Sequence, residues 1–250
     1  MSRTALLDGD LIAHRCAIAL DDPIERVSEG LYRFDEEAAI TNAKAFVERI
    51  LDETGCPKGT ITFTASENYR KDVLPTYKGN RKLRKPILFK AVRNALIEYE
   101  PLDWFHIAGI EADDMMGILH TEDPDNTVIC SADKDMLTIP GFHYNIFEPA
   151  FEGIVEVSED EAERRFYCQV MSGDRTDGYP GAPGYGAVRA NRALDPAAPL
   201  NHAKAWEIVV EAFDGDEEEA LINARCARIL RAGEFNEMTM EPILWTPRSK

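Results

Sequence analysis

Short apolar segments alternate with amphipathic helical segments over the first half of this 250-residue chain, and this alternation limits the fold more than any other feature. The helical periodicity is clearest from Glu36 to Thr54, where apolar residues recur every three or four positions before Gly55. Because helices connect parallel strands, the pattern predicts an α/β fold with a doubly wound, mainly parallel sheet flanked by helices. The predicted strands are 5–8, 60–64, 104–108 and 127–130, and the predicted helices are 11–20, 36–54, 86–99 and 112–120.

The pattern changes at Ser158, after which the chain is predicted to be helical. Ser158 followed by Glu161 is typical of a helix N-terminus, because both side chains can accept from backbone amides of the first turn. Five glycines and two prolines in 173–186 exclude regular structure there and predict a helix–turn–helix connection. We therefore separate an α/β region, 1–157, from a helical region, 158–250. The helices predicted in the second region are 159–171, 187–192, 202–213 and 217–232.

Positive charge is concentrated in one segment of an otherwise acidic chain. There are 28 Lys and Arg against 45 Asp and Glu, a formal net charge of −17, yet residues 69–93 contain nine bases and a single acid. The acidic total argues against nonspecific binding of DNA or membranes over the whole surface. The basic segment is what a protein that holds a polyanion through one local element would carry, although a solvated basic helix has the same composition.

Cysteine use and hydropathy bear on the compartment. The five cysteines are odd in number, widely spaced and form no CxxC pair, so we expect neither disulfides nor a zinc site. Apolar runs fall well short of the ~18 residues of a membrane span, and Asp8 falls where a signal peptide needs its apolar core. We therefore expect a cytoplasmic protein without membrane contact. Trp104, which begins a predicted strand, is expected in the core.

Groups of acids follow three predicted strands, and a fourth group lies in the glycine-rich connection. The carboxyl ends of parallel strands share one crevice in a doubly wound sheet, so the first three groups are expected to meet there. Carboxylates brought together repel each other unless a cation neutralises them, and Mg²⁺ or Mn²⁺ with oxygen ligands is the natural choice. The groups are Asp8 with Asp10; Glu111, Asp113 and Asp114; Asp133 and Asp135; and Asp174 with Asp177.

This set of acids favours phosphodiester hydrolysis with two divalent cations, which needs many carboxylates and no side-chain nucleophile. Lys78 and Arg81 in the basic segment can supply the positive charge that the reacting phosphate requires. Backbone amides of Gly184 and Gly186 can bind a phosphate of a duplex strand at the start of the following helix. A tight connection with no ligand would also explain these glycines.

The order and spelling of the motifs resemble the 5′-nuclease superfamily: flap endonucleases, the 5′→3′ exonuclease domain of bacterial DNA polymerase I and small phage-encoded exonucleases. The resemblance extends from Leu6 to about Ala190. It implies a PIN-like core with a helical arch formed from 69–93, and a helical DNA-binding region of helix–turn–helix type. The matching motifs are Leu7-Asp-Gly9, Tyr77-Lys-Gly-Asn-Arg81, Gly109-Ile-Glu-Ala-Asp-Asp114, Ser131-Ala-Asp-Lys-Asp135, Gly173-Asp174 with Asp177, and Gly181-Ala-Pro-Gly-Tyr-Gly186.

The resemblance also implies roles for individual residues. Lys78 and Arg81 would approach the scissile phosphate. The acids that would hold two Mg²⁺ ions, with Mn²⁺ as a substitute, are Asp8, Glu111, Asp113, Asp114, Asp133, Asp135, Asp174 and Asp177. The expected DNA contacts are Arg70, Tyr77, Lys82, Arg84, Lys85, Gly181, Gly184 and Gly186, with a monovalent cation such as K⁺ in the glycine turn.

The activity implied by the resemblance is metal-dependent 5′→3′ exonuclease or 5′-flap endonuclease cleavage that leaves 5′-phosphate products. The expected partner is double-stranded DNA with a 5′ end or a 5′ flap, with RNA–DNA hybrid as a further candidate. We expect a monomer, and the short length resembles the compact phage form of the family.

One departure from the family pattern leaves alternatives open. Family members carry a metal-binding Asp at the end of the second strand, whereas this chain has Phe63-Thr-Ala-Ser-Glu-Asn68, so Thr64, Ser66 or Glu67 is the candidate replacement. A haloacid-dehalogenase-type phosphatase would use Asp8 as nucleophile and Asp10 as general acid, but it leaves two groups of acids unexplained. A non-catalytic nucleic-acid-binding module of the same fold would not need the missing acid.

Overall fold

The computed structural model describes residues 3–18, 35–80, 85–148, 153–195 and 199–247. Its strands in the α/β region are β1 (Thr4–Asp8), β2 (Lys58–Thr62), β3 (Leu102–Phe105), β4 (Thr127–Cys130), β5 (Gly141–Tyr144) and β6 (Ile154–Val157). They form a six-stranded sheet in the order β3-β2-β1-β4-β5-β6. Strands β1 to β5 run parallel, and β6 is antiparallel to β5. The predicted α/β fold with a mainly parallel sheet is therefore confirmed.

The sequence does not predict β5 and β6. β5 begins with Gly141 and contains the polar His143, and these two residues weaken its strand signal in the sequence. It forms because it pairs with β4 and β6 in the sheet. The strands β2 and β3 were expected two residues later than they occur, at 60–64 and 104–108.

Alternate residues of the central strands pack on opposite faces of the sheet. Ala5, Leu7 and Ile61 belong to a core on one face, whereas Leu6 and Ile129 belong to a smaller core on the other. The first core is covered by three helices, and the second is covered by the helix that follows β3. The helices of this region are α1 (Gly9–Ile18), α2 (Glu36–Thr54), α3 (Arg70–Val73), α4 (Phe89–Ile97) and α5 (Ala112–Glu122), followed by a 3₁₀ helix at Lys134–Thr138.

Helix α2 shows how local sequence sets the helix ends. The Asp35 carboxylate accepts from the Ala38 amide, which is unsatisfied at a helix start. Gly55 ends the helix with a φ of 65°, a left-handed conformation that favours glycine. The predicted bounds of α2 are confirmed. Helix α4 is shorter than the predicted 86–99.

The basic segment 69–93 is described except for residues 81–84, which lie outside the described residues. Its described parts contain α3, consecutive turns over 75–80 and the start of α4. Three residues with expected functions, Arg81, Lys82 and Arg84, therefore lie outside the described residues.

The helical region packs around a second core formed by residues such as Phe166, Val209 and Trp245. Ser158 accepts from the Glu161 amide and starts its first helix, as predicted. The last helix ends at Ala227, so the expectation that it extends to residue 232 is wrong, and a small antiparallel hairpin follows it. The elements are α6 (Glu159–Ser172), α7 (Ala187–Ala193), α8 (His202–Ala212), α9 (Glu217–Ala227), β7 (Phe235–Asn236) and β8 (Glu241–Pro242).

Residues 228–232 leave the helical region and lie along α5, which belongs to the sheet region. The Leu230 amide donates to Asp114, and the Ala232 amide donates to the Thr121 hydroxyl. Gly117 permits this approach, because a Cβ at that position would overlap the Leu230 carbonyl oxygen. The two regions are therefore joined by close contacts along α5, from Asp114 to Thr121.

Three further expectations are tested by the structure. All five cysteines are free in this structure. No helix among the described residues is long and apolar enough to cross a membrane. Trp104 is 45% exposed on the edge strand β3, so its expected place in the core is wrong.

Substitution Gly117→Ala should separate α5 from residues 228–232. We expect it to lower the free energy of unfolding by about 2 kcal/mol, since an added methyl must displace a backbone carbonyl. Chemical denaturation measures the change. Asn42→Ala, at an exposed position of α2, is the control and should leave stability unchanged or slightly raised. Equal stability of the two variants would contradict the close contact.

Candidate active site

Acidic side chains meet at the carboxyl edge of the sheet. Asp8 ends β1, and Asp133 follows β4 after a two-residue turn. Glu111 lies at the start of α5, six residues after the end of β3. Because β1, β3 and β4 are parallel members of one sheet, their carboxyl ends bring these acids to the same side.

Asp8 is held in place by two hydrogen bonds. Its Oδ1 accepts from the Leu11 amide at 2.9 Å, and its Oδ2 accepts from the Ser131 hydroxyl at 3.1 Å. Ser131 in turn accepts from the Asp133 amide at 3.0 Å. Burial raises the pKa of Asp8 to about 6, and the charges of Asp10 and Asp133 add to this effect. Ser131 thus links two candidate ligands, a role that the sequence analysis missed although Ser131 lies within a quoted motif.

Asp113 adds to the negative charge at this edge. Burial raises its pKa well above the ordinary value, and Glu111, Asp8 and Asp133 contribute in the same direction. Lys78 partly opposes the shift. The ionised form of Asp113 therefore lacks adequate compensation from the protein's own cations.

The acids described so far, Asp8, Glu111, Asp113 and Asp133, are the first acidic group. A second acidic group, Asp135, Asp174 and Asp177, lies beside it. Burial raises the pKa of Asp135 to about 6, and the charges of Asp133, Asp174 and Asp177 act in the same sense. Asp174 begins the glycine-rich connection, where its Oδ1 accepts from the amides of Thr176 and Asp177. The structure thus brings the glycine-rich segment to the acids at the end of β4.

Lys78 lies between the two acidic groups. Its ammonium forms a short ion pair with Glu111 and lies 3.6 Å from the Asp177 carboxylate. Its amide donates to the Asp177 carbonyl at 2.6 Å, and its φ is 53°. Although burial opposes the shift, Arg70 and Lys78 lower the pKa of Glu111 to about 2. Lys78 therefore lies inside the acidic crevice, within ion-pair distance of one carboxylate from each group.

Tyr77 does not have the exposed ring that contact with DNA bases would need. The residue is 2% exposed, and its hydroxyl lies 3.0 Å from both Glu111 Oε2 and Asp177 Oδ2. The expected contact of Tyr77 with DNA is therefore wrong. Tyr77 instead connects one carboxylate of each acidic group.

Arg70 and Asp114 are a buried ion pair, so the expected DNA contact of Arg70 and the expected metal contact of Asp114 are both wrong. The guanidinium binds both oxygens of Asp114 at 2.7 Å and also donates to Glu111. Its remaining donors reach the carbonyls of Cys226 and Arg228. Both Asp114 oxygens are further occupied by the amides of Glu111 and Leu230. Neither side chain has a free polar atom for a ligand.

The glycine turn contains one expected DNA contact that the structure contradicts. The Gly181 amide donates to the Asn223 side chain inside the protein, so it cannot bind phosphate. Gly181 has a φ of 68°, and a Cβ there would overlap the backbone of Gly173. Gly184 and Gly186 precede α7, and the Gly184 carbonyl accepts from Arg189 at 3.2 Å.

The end of β2, where the family's second acid is missing, is reached by Asp10. The Asp10 Oδ2 accepts from the Thr64 amide at 2.8 Å, while the Thr64 hydroxyl accepts from the Ala112 amide. Ser66 and Glu67 are exposed. The Oδ1 of Asp10 is buried and has no hydrogen-bond partner among the described residues. Asp10 therefore carries an unsatisfied carboxylate oxygen into the region where the sequence lacks a ligand.

The chemistry of this donor set suits divalent cations. Ionisation of Asp8, Asp113 and Asp135 is opposed by burial and by neighbouring carboxylates, and hard cations with oxygen ligands relieve such repulsion. The buried Asp10 Oδ1, which has no hydrogen-bond partner among the described residues, is a further oxygen that a cation could bind. In the described ranges, however, no three Asp, Glu, His or Cys side chains have the spacing of a preformed metal site. The residues fit divalent metals by chemistry and would have to move together to bind them.

Comparisons with known proteins identify the family of this chain. Residues 3–167 match the family model "5′-3′ exonuclease, N-terminal resolvase-like domain". The exodeoxyribonuclease of Enterobacteria phage T3 is 30% identical over 223 residues, covering 76% of this chain and 73% of that protein. The exonuclease of Escherichia phage T7 is 29% identical over 221 residues, covering 75% and 73%.

Solved structures show the same fold. A T5 5′-exonuclease with bound zinc ions has a TM-score of 0.62 at 16% identity, covering 90% of this chain and 89% of that chain. A bacteriophage T5 flap endonuclease in a complex with DNA and metal ions has a TM-score of 0.58 at 15% identity, covering 89% and 87%.

The mainly parallel sheet and the acidic crevice at its carboxyl edge define a nuclease-type α/β protein. The chain belongs to the 5′-3′ exonuclease family. It is therefore an enzyme of the nuclease class, and the resemblance to the 5′-nuclease superfamily is confirmed.

Substitution Arg70→Met tests the buried ion pair. It leaves Asp114 ionised and unpaired inside the protein, so we expect a loss of about 3–5 kcal/mol in the free energy of unfolding. Lys71→Met removes an exposed base from the neighbouring position and should change stability by less than about 0.5 kcal/mol. Chemical denaturation of both variants measures the contrast. If Arg70→Met folds as stably as Lys71→Met and instead weakens duplex binding, Arg70 is a DNA contact after all.

Substitution Asp135→Asn tests the electrostatic strain of the site. The folded-state pKa of about 6 lies above the unfolded value near 3.8, so ionised Asp135 destabilises the fold above pH 6 and has no such effect below pH 4. In EDTA at pH 7.5 the variant should therefore be more stable than wild type by about 1–2 kcal/mol. The gain should shrink as the pH falls from 6 towards 4. A gain that does not depend on pH would contradict the raised pKa.

Proposed function

We propose that this protein is a metal-dependent 5′→3′ exonuclease and 5′-flap endonuclease that hydrolyses DNA phosphodiesters to 5′-phosphate products. The observation that carries the proposal is the meeting of carboxylates from β1, the start of α5, the turn after β4 and the glycine-rich connection around one lysine. The T3 and T7 relatives are named exodeoxyribonuclease and exonuclease, which supports the assignment.

The acids would hold two divalent cations, which we take to be Mg²⁺ with Mn²⁺ as a substitute. Such ions supply an activated water and stabilise the leaving oxygen of an in-line displacement. We exclude Asp114 and include Asp10 among the ligands. A related T5 5′-exonuclease holds divalent zinc ions, and a related T5 flap endonuclease holds metal ions, which supports metal use. The proposed set is Asp8, Asp10, Glu111, Asp113, Asp133, Asp135, Asp174 and Asp177.

Lys78 is the proposed cation at the reacting phosphate, together with Arg81. The hydrogen bond from its backbone amide to the Asp177 carbonyl and its ion pair with Glu111 hold the ammonium at the carboxylates of both acidic groups. An ammonium in this position can stabilise the charge that develops on a phosphate in the transition state. Tyr77 and Arg70 position Glu111 through hydrogen bonds.

DNA would be held by the basic segment and by the glycine turn. Lys82, Arg84 and Lys85 are the proposed backbone contacts, and Lys85 is exposed with its ammonium 4.3 Å from the Phe89 ring centre. Amides of Gly184 and Gly186 would bind a duplex phosphate, with K⁺ as the candidate monovalent ion in the turn. The proposed substrate is duplex DNA with a 5′ end or flap, with RNA–DNA hybrid as a further candidate, acted on by a monomer in the cytoplasm.

The alternative functions gain no support. Membership of the 5′-3′ exonuclease family argues against a haloacid-dehalogenase-type phosphatase. Asp10, which that reaction needs as a general acid, instead binds the Thr64 amide. A non-catalytic module does not require the buried carboxylates of Asp8, Asp113 and Asp135, whose ionisation burial opposes.

The test is cleavage of a 5′-labelled duplex in Mg²⁺ and in excess EDTA. We expect Mg²⁺-dependent release of products bearing 5′-phosphates and no cleavage in EDTA, because the carboxylates have no substitute for the ions. The double variant Asp133→Asn with Asp135→Asn should lose cleavage while still binding duplex. Cleavage that persists in EDTA, or inorganic phosphate released from an aryl phosphate while the duplex stays intact, would refute the proposal.

Substitution Lys78→Ala should lower the single-turnover rate by about 10²-fold or more, the scale of one lost transition-state contact. The dissociation constant for duplex should change much less. Lys71→Ala removes the same charge at an exposed position of α3 and should leave the rate unchanged. A Lys78→Ala variant that only binds more weakly, with an unaltered rate, would show that Lys78 is an anchor and not a catalytic residue.

A further inference from the structure

The exposed aromatic residues of the edge strand β3 form a surface that the reaction does not use. Trp104 is 45% exposed, and the following His106 is also exposed. Their rings lie 6.0 Å apart at an interplanar angle of 36°. Large exposed aromatic side chains on an edge strand favour association, so this surface calls for a partner.

Strand register places a cation on the same face of the sheet as these rings. Ile61 of β2 is paired with Trp104, and the ladder continues because the Phe63 amide donates to the Phe105 carbonyl. Since side chains two residues apart share a face, Phe63 and His106 extend the row begun by Ile61 and Trp104. The Arg93 guanidinium of α4 lies 4.6 Å from the Phe63 ring centre. Arg93 therefore lies over the same row.

Further positive charge lies one helical turn away. Lys90 is exposed and precedes Arg93 by three positions in α4, so both project from the same side of the helix. Asp103, the acid within β3, lies on the opposite face of the strand from Trp104. We call the four residues Lys90, Arg93, Trp104 and His106 the edge strip. It combines cations with stacking surfaces in a chain whose net charge is −17.

We propose that the edge strip binds an unpaired DNA strand of the substrate by stacking on Trp104 and pairing with Arg93 and Lys90. Aromatic side chains within a positive groove are the general means of holding single strands without sequence preference. The location suits this role, because residues 106–111 lead directly from the strip to Glu111 in the acidic crevice. This role rests on the proposed function, because the unpaired strand is taken to be part of the DNA substrate of the nuclease.

The test compares binding of a blunt duplex, the same duplex with a 5′ single-stranded extension, and oligo(dT), all in EDTA. Trp104→Ala should weaken binding of the extended duplex and of oligo(dT) about tenfold, the scale of one lost base stack. Binding of the blunt duplex should stay within twofold. Trp104→Phe keeps a stacking ring and should restore most of the affinity. Met238→Ala, at another highly exposed apolar residue, is the control and should leave the binding of all three ligands unchanged.

Two further measurements sharpen the result. Trp206 and Trp245 are buried, so quenching of tryptophan fluorescence by oligo(dT) should report mainly on Trp104 and disappear in Trp104→Phe. The double variant Lys90→Gln with Arg93→Gln should flatten the log–log salt slope for oligo(dT) by about 1.4, at 0.7 per charge. A Trp104→Ala variant that binds all three ligands as wild type does, or that weakens all three equally, would overturn the proposal.

The outcome is separable from that of the proposed function. If wild-type protein cleaves duplex in Mg²⁺ but Trp104→Ala binds single strands normally, the edge strip alone is refuted. If wild-type protein cleaves nothing while Trp104→Ala still loses affinity for oligo(dT), the nuclease function fails and the strip stands as a single-strand binding surface.

Discussion

The buried ion pair between Arg70 and Asp114 connects three distant parts of the chain. Arg70 comes from the basic segment, Asp114 from the first turn of α5, and the carbonyls of Cys226 and Arg228 from the end of α9. Every donor of the guanidinium is used, as a buried charge requires. Because Arg70 also binds Glu111, the position of a proposed metal-binding carboxylate depends on chain that lies beyond the family match at residues 3–167.

The acidic crevice combines two opposing electrostatic arrangements. Glu111 is stabilised as an anion by Arg70, Lys78 and Tyr77, so its pKa falls to about 2. Asp8 and Asp135 are disfavoured as anions, and their pKa values rise to about 6. Carboxylates with lowered and with raised pKa values at one site are typical of a site that binds a cation, because the cation neutralises the remaining negative charge. We expect this electrostatic repulsion to lower the stability of the metal-free protein, a common cost of a functional site.

Sequence patterns predicted the fold where the relevant signal was local. The apolar period of α2 and its glycine stop were sufficient to predict its bounds, and alternating strands and helices indicated the parallel sheet. β5 forms only through pairing with its neighbours and carries no such signal. The acids were found because they follow strands in a known order of motifs. Burial could not be predicted from local sequence. The residue types and motifs of Arg70, Tyr77 and Asp114 suggest ligand binding, but contacts with distant parts of the chain bury all three. Trp104 was misplaced for the opposite reason, since an edge position is a property of the whole sheet.

The central claim is that these carboxylates assemble around divalent cations at the carboxyl edge of the sheet. Titration of EDTA-stripped protein with Mn²⁺, followed by electron paramagnetic resonance, tests it most directly. We expect two bound Mn²⁺ ions per chain, magnetically coupled because a two-metal site holds its ions about 4 Å apart, with binding lost in Asp8→Asn and Asp133→Asn. Absence of bound Mn²⁺, or two uncoupled ions whose binding survives both substitutions, would contradict the claim.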